Sequence, residues 1–414
     1  MASSKHDDLI YDWNLADSSA AAPLAVTLDD ETLRDGLQNP SVRNPDIGEK
    51  SELIRLMDRL GIHTANVGLP GAGDRHYTDG LELARVMVNE SLRITPNVAC
   101  RTMISDIEPV RRMMDDAGIA VMANCFIGSS PIRLYTEGWT IDTILGHVEK
   151  SLAYARDNEI PFTLVTEDTT RANPQDVARL YQLAIDLGAE RLVVCDTCGH
   201  ATPEGTERLV RFVKELADGA DRPVGVDWHG HRDRGLDLSN CIAAVRAGAD
   251  QVHGAALGVG ERAGNAAMDL VLVNFSLLGW IDNDLTALSD YCHLAARILD
   301  VEIPPNYPVV GHDAFLTGTG VHAAAVIKAI NKGDEWLADR VYSGVPASDF
   351  GIAQTIGVGP MSGRSNVVYW LGQNGHPQPE SALIDHVFQA AKGANRLLTD
   401  DELLGVLSSY HAGA

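Results

Sequence analysis

Short apolar segments rich in β-branched residues recur about every 25 to 40 residues along the first two thirds of the chain. Amphipathic stretches such as ELIRLMDRLG lie between them, with apolar residues three and four apart and a glycine near the end. This alternation predicts βα units on a parallel sheet. The predicted strands are LAVTL (24–28), HTANVG (63–68), ITPNVAC (94–100), AVMANCFI (120–127), FTLV (162–165), RLVVC (191–195), VGVDWH (224–229) and DQVHGAA (250–256).

Eight such strands fit an α/β fold of the closed (β/α)8 TIM-barrel type, although the same pattern also admits seven or nine strands. Beyond about residue 285 the pattern becomes helical, with a proline-rich break at IPPNYPVV. We therefore expect a TIM-barrel catalytic domain over 24–285 and a mainly helical C-terminal region over 286–414. Residues 1–23 are polar, acidic and small, and we expect them to form an N-terminal arm.

Composition and charge narrow the class of protein. Hydrophobic residues make up 45% and charged residues 22% of the chain, an ordinary globular balance. The formal net charge of -24 disfavours nucleic acid or an anionic membrane as a partner. The N-terminal residues contain no signal-peptide core, and the longest apolar stretch, 268–280, is too short to span a bilayer. The six scattered cysteines suit reduced thiols, so we expect a cytoplasmic protein with neither kind of partner.

Polar clusters follow three of the predicted strands. A barrel places its reactive residues just past the C-terminal ends of its strands. The clusters are DDETLRDGLQNP with Arg34, Asp35 and Gln38, HGHRDRG with His229 and His231, and GVGERAGNAAMD with Glu261, Arg262 and Asn265.

The two histidines suggest a metal site. His229 and His231 are two residues apart on an extended segment, so their side chains face the same way. Asp35 follows the first strand, which neighbours the eighth in a closed barrel. Two imidazoles and one carboxylate leave coordination positions open for a chelating substrate. An isolated HxH pair is more often a surface or core feature, but the acidic RDG element favours the metal site.

Two other motifs are discounted. CDTC, with Cys195 and Cys198, has the spacing of a zinc or redox pair, but the chain has no second CxxC. GVGERAG reads GxGxxxG and follows the last barrel strand, so it does not match a dinucleotide-binding fingerprint. Neither motif predicts a further cofactor.

Taken together, the motifs resemble those of a known family. TLRDGLQ, EDTTR (167–171), DTCGHATP (196–203), HGHRDRG and GERAGNAAMD follow one another in the order found in the DRE-TIM metallolyase superfamily. GTGVHAAAVIK and SGRSNVV resemble segments of its C-terminal region. The resemblance covers about residues 24 to 370 and is greatest to the branch of 2-isopropylmalate, homocitrate and citramalate synthases.

The resemblance implies a set of site residues. A divalent cation (zinc, manganese, magnesium or cobalt) would be bound by Asp35, His229 and His231, with Asn265 as a fourth ligand or near neighbour. Arg34 would polarise the keto oxygen of a 2-oxo acid, Glu167 would line the pocket, and His322 would deprotonate acetyl-CoA with help from Tyr342. The expected substrate-binding residues are Gln38, Arg101, Arg133, Thr197 and Arg232.

These roles imply a Claisen-type condensation of acetyl-CoA with a 2-oxo acid. In the family the His-bearing C-terminal region reaches into the barrel of the other protomer, so a homodimer is implied. Two departures point to an acceptor with a second anionic group, of the homocitrate synthase or phosphonopyruvate type. Arg232 stands where an asparagine is usual, and Arg133 stands where isopropylmalate synthases have histidine. Alternatively, Arg133 or Arg232 simply pairs with an acidic neighbour.

Other positions keep the alternatives open. Met103, Val165 and Asn66 depart from the homocitrate synthase pattern, which disfavours an ordinary homocitrate synthase and leaves a specialised synthase for an unusual acidic 2-oxo acid such as phosphonopyruvate. A 2-isopropylmalate or citramalate synthase is a further alternative. DGLQN is closer to hydroxymethylglutaryl-CoA lyase, a carbon–carbon lyase of the same superfamily, but GVGERAGN lacks the reactive cysteine of that enzyme. A barrel that serves only as a binding subunit is disfavoured because the metal and arginine residues are intact.

Overall fold

A computed structural model describes residues 6, 9–14 and 25–413. Eight parallel strands form a closed barrel in which each strand pairs with the next and β8 pairs with β1. The predicted (β/α)8 fold is confirmed. The strands are β1 (Thr27–Asp30), β2 (Thr64–Asn66), β3 (Thr95–Arg101), β4 (Met122–Gly128), β5 (Phe162–Glu167), β6 (Arg191–Asp196), β7 (Gly225–Gly230) and β8 (Gln251–Gly254).

The first strand differs most from its predicted bounds. It begins at Thr27, where it pairs with Gln251 of β8, and ends two residues later than predicted. Residue 24 and most of the expected N-terminal arm lie outside the described residues.

Helices alternate with the strands and cover the barrel. They are α1 (Ile47–Arg59), α2 (Asp74–Asn89), α3 (Ile104–Ala117), α4 (Pro131–Glu137), α5 (Ile141–Asp157), α6 (Pro174–Leu187), α7 (Pro203–Asp218), α8 (Asp237–Arg246), α9 (Met268–Leu277) and α10 (Leu288–Leu299). Short polar side chains begin several of them. Asp46, for example, accepts a hydrogen bond from the Glu49 N–H at the start of α1. Gly118 and Gly188 end α3 and α6 in the left-handed conformation.

The two faces of the barrel strands differ in polarity. Val98, Leu164 and Val226 are fully buried, and by strand alternation they face the helices. The inward positions of the same strands are largely polar, and Asn97 and Asp227 are examples. The apolar core therefore lies between strands and helices, while the barrel interior holds hydrogen-bonding and charged groups.

A smaller C-terminal region follows the barrel. It contains α11 (Gly320–Asn331), α12 (Glu335–Arg340), α13 (Arg364–Gln373), α14 (Ser381–Gly393), α15 (Asp400–Gly413) and the two short strands β9 (Leu316–Thr317) and β10 (Thr355–Ile356). Val367, Leu383 and Leu403 belong to a second apolar cluster formed largely by α13–α15. No helix in the described part of the chain combines the length and apolarity needed to cross a bilayer.

Helix α10 belongs to the barrel, although it falls within the region expected to be C-terminal. It packs against α1, and its buried residues join the main core. The Tyr291 hydroxyl also donates a hydrogen bond to Asp30 at the end of β1. The barrel body thus continues beyond residue 285, because this helix covers the seam where β1 meets β8.

Candidate active site

A cavity of about 220 Å³ opens at the C-terminal ends of the barrel strands. Side chains at or just after the ends of β1, β7 and β8 line one side of the cavity, and those of β2–β6 line the other. Seven of the residues predicted from sequence line it: Arg34, Asp35, Gln38, Glu167, Thr197, His229 and His231.

Asp35, His229 and His231 converge at one point of this cavity. The two Nε2 atoms are 3.3 Å apart, and Asp35 Oδ2 lies 3.8 Å from His229 Nε2 and 3.9 Å from His231 Nε2. Ligands with bonds of about 2.0–2.1 Å at tetrahedral angles are about 3.3–3.4 Å apart. All three side chains are buried. The spacing therefore fits a transition-metal or similar divalent cation.

The protonation states also suit metal binding. Burial, and then the neighbouring His231, lower the pKa of His229 to about 3. Burial likewise lowers the pKa of His231. Burial opposes ionisation of Asp35, but Arg34 and the two histidines outweigh it and hold the pKa of this carboxyl below its usual value. At neutral pH the group therefore offers two neutral imidazoles and a carboxylate, which are the forms that bind metals.

Asn265 lies beside this group. Its Nδ2 donates to Asp35 Oδ1 at 2.8 Å and to the Val259 carbonyl at 3.1 Å. Its Oδ1 is buried and has no hydrogen-bond partner among the described residues. A buried amide oxygen rarely stays unpaired. Asn265 can therefore supply a fourth oxygen donor while it orients Asp35.

The loop after β8 brings Asn265 to this position. Gly258, Gly260 and Gly264 all have positive φ there. A Cβ on Gly264 would overlap the Gly258 carbonyl oxygen, and the Asn265 N–H donates to that same oxygen at 3.1 Å. The glycines of this motif thus serve a tight loop, as expected from their departure from the dinucleotide fingerprint.

Arg34 lies at the edge of the group formed by Asp35, His229 and His231, which is called the cation group below. Its Nε donates to Glu31 Oε2 and its Nη1 donates to Asp35 Oδ2, both at 2.9 Å. Burial opposes the ionisation of Glu31, but Arg34 and His253 lower the pKa of this carboxyl to about 2. The guanidinium is therefore fixed beside the metal ligands, where it can bind a developing negative charge.

A second group, Glu31, His229 and His253, also has the spacing of metal ligands. His253 Nδ1 lies 3.4 Å from Glu31 Oε1, and Nε2 lies 3.6 Å from Asp227 Oδ2. Burial lowers the pKa of His253, but Asp29, Asp227 and Glu31 outweigh it and raise the pKa to about 10. A protonated imidazole has no free lone pair, so we interpret this group as a buried ion-pair network.

Glu31 and His253 were not among the residues predicted from sequence. Strand alternation could have placed both in the barrel interior. Glu31 is two residues from Asp29 and His253 is two residues from Gln251, so each pair shares a face.

Arg262 was noted only as a loop residue. It lines the cavity and donates to the Thr197 carbonyl at 2.5 Å and to Asp233 at 2.8 Å.

Thr197 at the end of β6 presents a hydroxyl to the cavity. Its Oγ1 accepts a hydrogen bond from the Asp168 N–H at 2.8 Å. This bond leaves the hydroxyl proton free to donate to a ligand. Thr197 can therefore bind an anionic oxygen on the side of the cavity formed by β6.

Three predicted substrate-binding arginines do not line the cavity. Arg101 forms a double hydrogen bond with Asp106, both contacts at 2.8 Å. Arg133 pairs with Glu137 at 2.6 Å, as in the alternative interpretation, and its Nε is 4.0 Å from Glu167. The guanidinium of Arg232 lies against the loop at Gly258.

His322 and Tyr342 lie in the C-terminal region and stack on each other, with ring centroids 4.1 Å apart. Both are exposed and neither lines the cavity of the same chain. Within one chain, the structure does not bring this pair to the cation group.

A (β/α)8 barrel with two histidines and one carboxylate at the C-terminal ends of its strands defines a class of metal-dependent enzymes. Comparisons with known proteins agree with this class. The HMGL-like family model matches residues 25–296. A probable 2-isopropylmalate synthase of Methanopyrus kandleri is 32% identical over 376 residues, which are 89% of this chain and 70% of that protein. A homocitrate synthase of the same organism is 30% identical, with 92% of this chain and 91% of that protein covered.

Solved structures give the same fold. The HMG-CoA lyase of Bacillus subtilis has a TM-score of 0.56 at 19% identity and matches 68% of this chain and 96% of that chain. The chain belongs to the HMGL-like family and, within the DRE-TIM metallolyase superfamily, to the branch of 2-isopropylmalate, homocitrate and citramalate synthases. It is an enzyme of the acyltransferase type of that branch.

The His253 network makes a prediction about stability and pH. The folded pKa of about 10 lies above the ordinary value of 6.5, so the imidazolium stabilises the fold fully below pH 6.5. This contribution is lost as the pH rises through about 10. His253→Gln should therefore lower the free energy of unfolding by about 3–5 kcal/mol at pH 6 and by much less at pH 10.5.

Urea unfolding of the metal-free protein at both pH values measures this difference. His293→Gln, on the exposed face of α10, is the matched control and should have little effect at either pH. A loss of stability for His253→Gln that is equal at the two pH values would contradict the charged state of this residue.

Proposed function

We propose that this protein catalyses the metal-dependent condensation of acetyl-CoA with a 2-oxo acid. The observation that carries the proposal is the convergence of Asp35, His229 and His231 beside Arg34 in a cavity of about 220 Å³. The curated relatives support it, since they are named as 2-isopropylmalate, homocitrate and citramalate synthases. In the reaction the acetyl methyl carbon forms a bond to the keto carbon, and water then cleaves the thioester to release coenzyme A.

Each residue of the site has a separate role in this reaction. Asp35, His229 and His231 would hold the cation, which when bound would supply a Lewis acid for the keto oxygen. Arg34 donates to that same oxygen and stabilises its growing charge. The free hydroxyl proton of Thr197 binds the carboxylate of the acceptor. The oxygen and imidazole donors suit zinc, manganese and cobalt as well as magnesium.

Glu167 and Gln38 complete the wall beside these groups. Burial raises the pKa of Glu167, which lies at the end of β5 within 4.0 Å of Arg133. A raised pKa favours the protonated form of the carboxyl, so Glu167 is suited to proton transfer near the reacting carbon. We assign Glu167 to proton transfer or positioning in the cavity and Gln38 to acceptor binding.

We further propose that the active unit is a cytoplasmic homodimer in which His322 of one copy completes the cavity of the other. His322 is exposed in a single chain, as are Val321, Tyr342 and Met361 near it in the sequence or fold. The stacked Tyr342 orients the imidazole. An imidazole is suited to removing the methyl proton of acetyl-CoA near neutral pH. All six cysteines are free, which suits a reducing compartment.

The acceptor is proposed to carry a second anionic group. Arg133 supports this proposal, because its guanidinium lies at the rim beside Glu167 and is partly exposed, so it can turn toward a ligand. Its ion pair with Glu137 is an exposed i,i+4 contact that costs about 0.5 kcal/mol to break. Asp106 holds Arg101, and Arg232 lies against the loop at Gly258, so we do not include them in acceptor binding.

Release of free thiol from acetyl-CoA, measured with a panel of 2-oxo acids, tests the condensation. Thiol release should require both a divalent cation and an acceptor, and Arg34→Gln should lower kcat about 100-fold or more. Arg133→Ala should raise KM for dianionic acceptors about tenfold, whereas Arg133→Lys should change it less. Fastest turnover on 2-oxoisovalerate, unchanged in Arg133→Ala, would contradict the second anion. Cleavage of hydroxymethylglutaryl-CoA without any condensation would assign the lyase reaction instead.

Mixing two inactive variants tests the shared site. Asp35→Asn removes the metal carboxylate and His322→Ala removes the base, so each homodimer alone should be inactive. Random exchange of subunits gives half heterodimers, each with one intact site, and should restore about a quarter of wild-type activity. A mixture of two His322→Ala preparations is the control. No recovery after verified subunit exchange would show that His322 acts on its own chain or not at all.

A further inference from the structure

Asn66, at the end of β2, lines the cavity and has an uncommitted donor. Thr64 of the same strand bonds to Asp29 in the barrel interior, so Asn66, two residues further, also faces inward. The residue is only 1% exposed. Its amide nitrogen is buried and has no hydrogen-bond partner among the described residues.

The orientation of this amide is fixed by its backbone. Asn66 Oδ1 accepts a hydrogen bond from the Gly68 N–H at 3.3 Å. A flipped amide would direct its NH2 group at that N–H, donor against donor, so the assignment of oxygen and nitrogen follows from the contact. The Nδ2 is therefore the atom left to bond a ligand.

The wall around Asn66 offers few other polar groups. Both polar atoms of Asn124 have partners, because its Nδ2 donates to Asn97 at 2.9 Å and its Oδ1 accepts from Thr163 at 2.9 Å. The remaining side chains of the β2–β5 wall below Glu167 are apolar: Leu69, Ala99, Phe126 and Val165. Within the described cavity lining, Asn66 Nδ2 is thus the one side-chain nitrogen on this wall without any hydrogen-bond partner.

The position of the wall determines which part of a substrate meets it. The cation group comes from β1 and β7, and Thr197 comes from β6, so the keto and carboxylate oxygens of a 2-oxo acid occupy that arc of the barrel. The substituent on the keto carbon then extends toward β2–β5. This step rests on the proposed function.

We propose that Asn66 Nδ2 donates a hydrogen bond to an oxygen on the substituent of the acceptor. The substrate class is then a 2-oxo acid whose side chain carries a hydroxyl, carboxylate or phosphonate oxygen. An all-carbon side chain of the same size would bury the amide nitrogen without a partner, and this penalty makes such sites selective. The apolar neighbours contact the carbon chain that leads to the oxygen.

Pairs of acceptors that differ only at the distal group test the proposal. One pair is 4-hydroxy-2-oxobutanoate and 2-oxopentanoate, in which a hydroxyl replaces a methyl group. A second pair is 2-oxoglutarate and the analogue with an isopropyl group in place of the distal carboxylate. A third is phosphonopyruvate and its tert-butyl analogue. The wild-type ratio of kcat/KM, oxygen member over carbon member, should be about 100 or more in at least one pair, and that pair identifies the distal group.

Asn66→Leu, of similar volume, should lower this ratio at least about tenfold, because KM of the oxygen member rises. Asn66→Asp replaces the donor by an acceptor of the same shape, should reject the anionic members, and serves as the test if Asn66→Leu does not fold. Calorimetric binding of the acceptor to the metal-loaded protein, without acetyl-CoA, should show the same loss of affinity.

The outcomes separate the two proposals. Thiol release with a ratio near one, or a ratio that neither variant changes, would overturn the role of Asn66 and leave the condensation standing. No thiol release with any acceptor would overturn the proposed function and this inference together.

Discussion

Closure of the barrel is the constraint on which the site depends. Asp35 follows β1 and the two histidines belong to β7, and the strands are neighbours only through β8. In an open sheet these strands would lie at opposite edges. Closure reduces the separation of Asp35 Oδ2 from both imidazoles to less than 4 Å. The same closure places the loop after β8, with Asn265, against the carboxylate.

Gathering these groups inside a barrel requires that their charges balance. Arg34, Arg191 and a protonated His253 lie among four buried carboxylates, those of Asp29, Glu31, Asp35 and Asp227. Burial also raises the pKa of Asp29, which favours its neutral form. Unpaired charges cost several kcal/mol each in such surroundings, so the ion pairs are a condition for the site to exist. The carboxylates of this network keep Arg34 ionised, while burial keeps His229 neutral. The same buried residues thus balance the charge of the barrel interior and position the groups of the candidate active site at its mouth.

The strands and the convergence of Asp35, His229 and His231 could be predicted from the sequence, for a physical reason. Alternating apolar runs fix the strands, and residues at strand ends must meet at one rim, so Asp35, His229 and His231 could be placed together. The directions of long side chains were not predictable in this way. Arg101, Arg133 and Arg232 follow strands too, but Asp106, Glu137 and the loop at Gly258 determine where their guanidinium groups lie. The place of α10 depends on its packing against α1, which no local pattern reveals.

X-ray absorption spectroscopy of the metal-loaded protein tests the cation site most directly. We expect about one cation per chain with two imidazole nitrogens and carboxylate or amide oxygens at about 2.0–2.2 Å. This signal should disappear in Asp35→Asn and remain in Glu31→Gln, which alters the neighbouring group and its contact with Arg34 but no ligand of the site. A cation that survives loss of Asp35 but not of Glu31 would place the metal on His253 and contradict the site described.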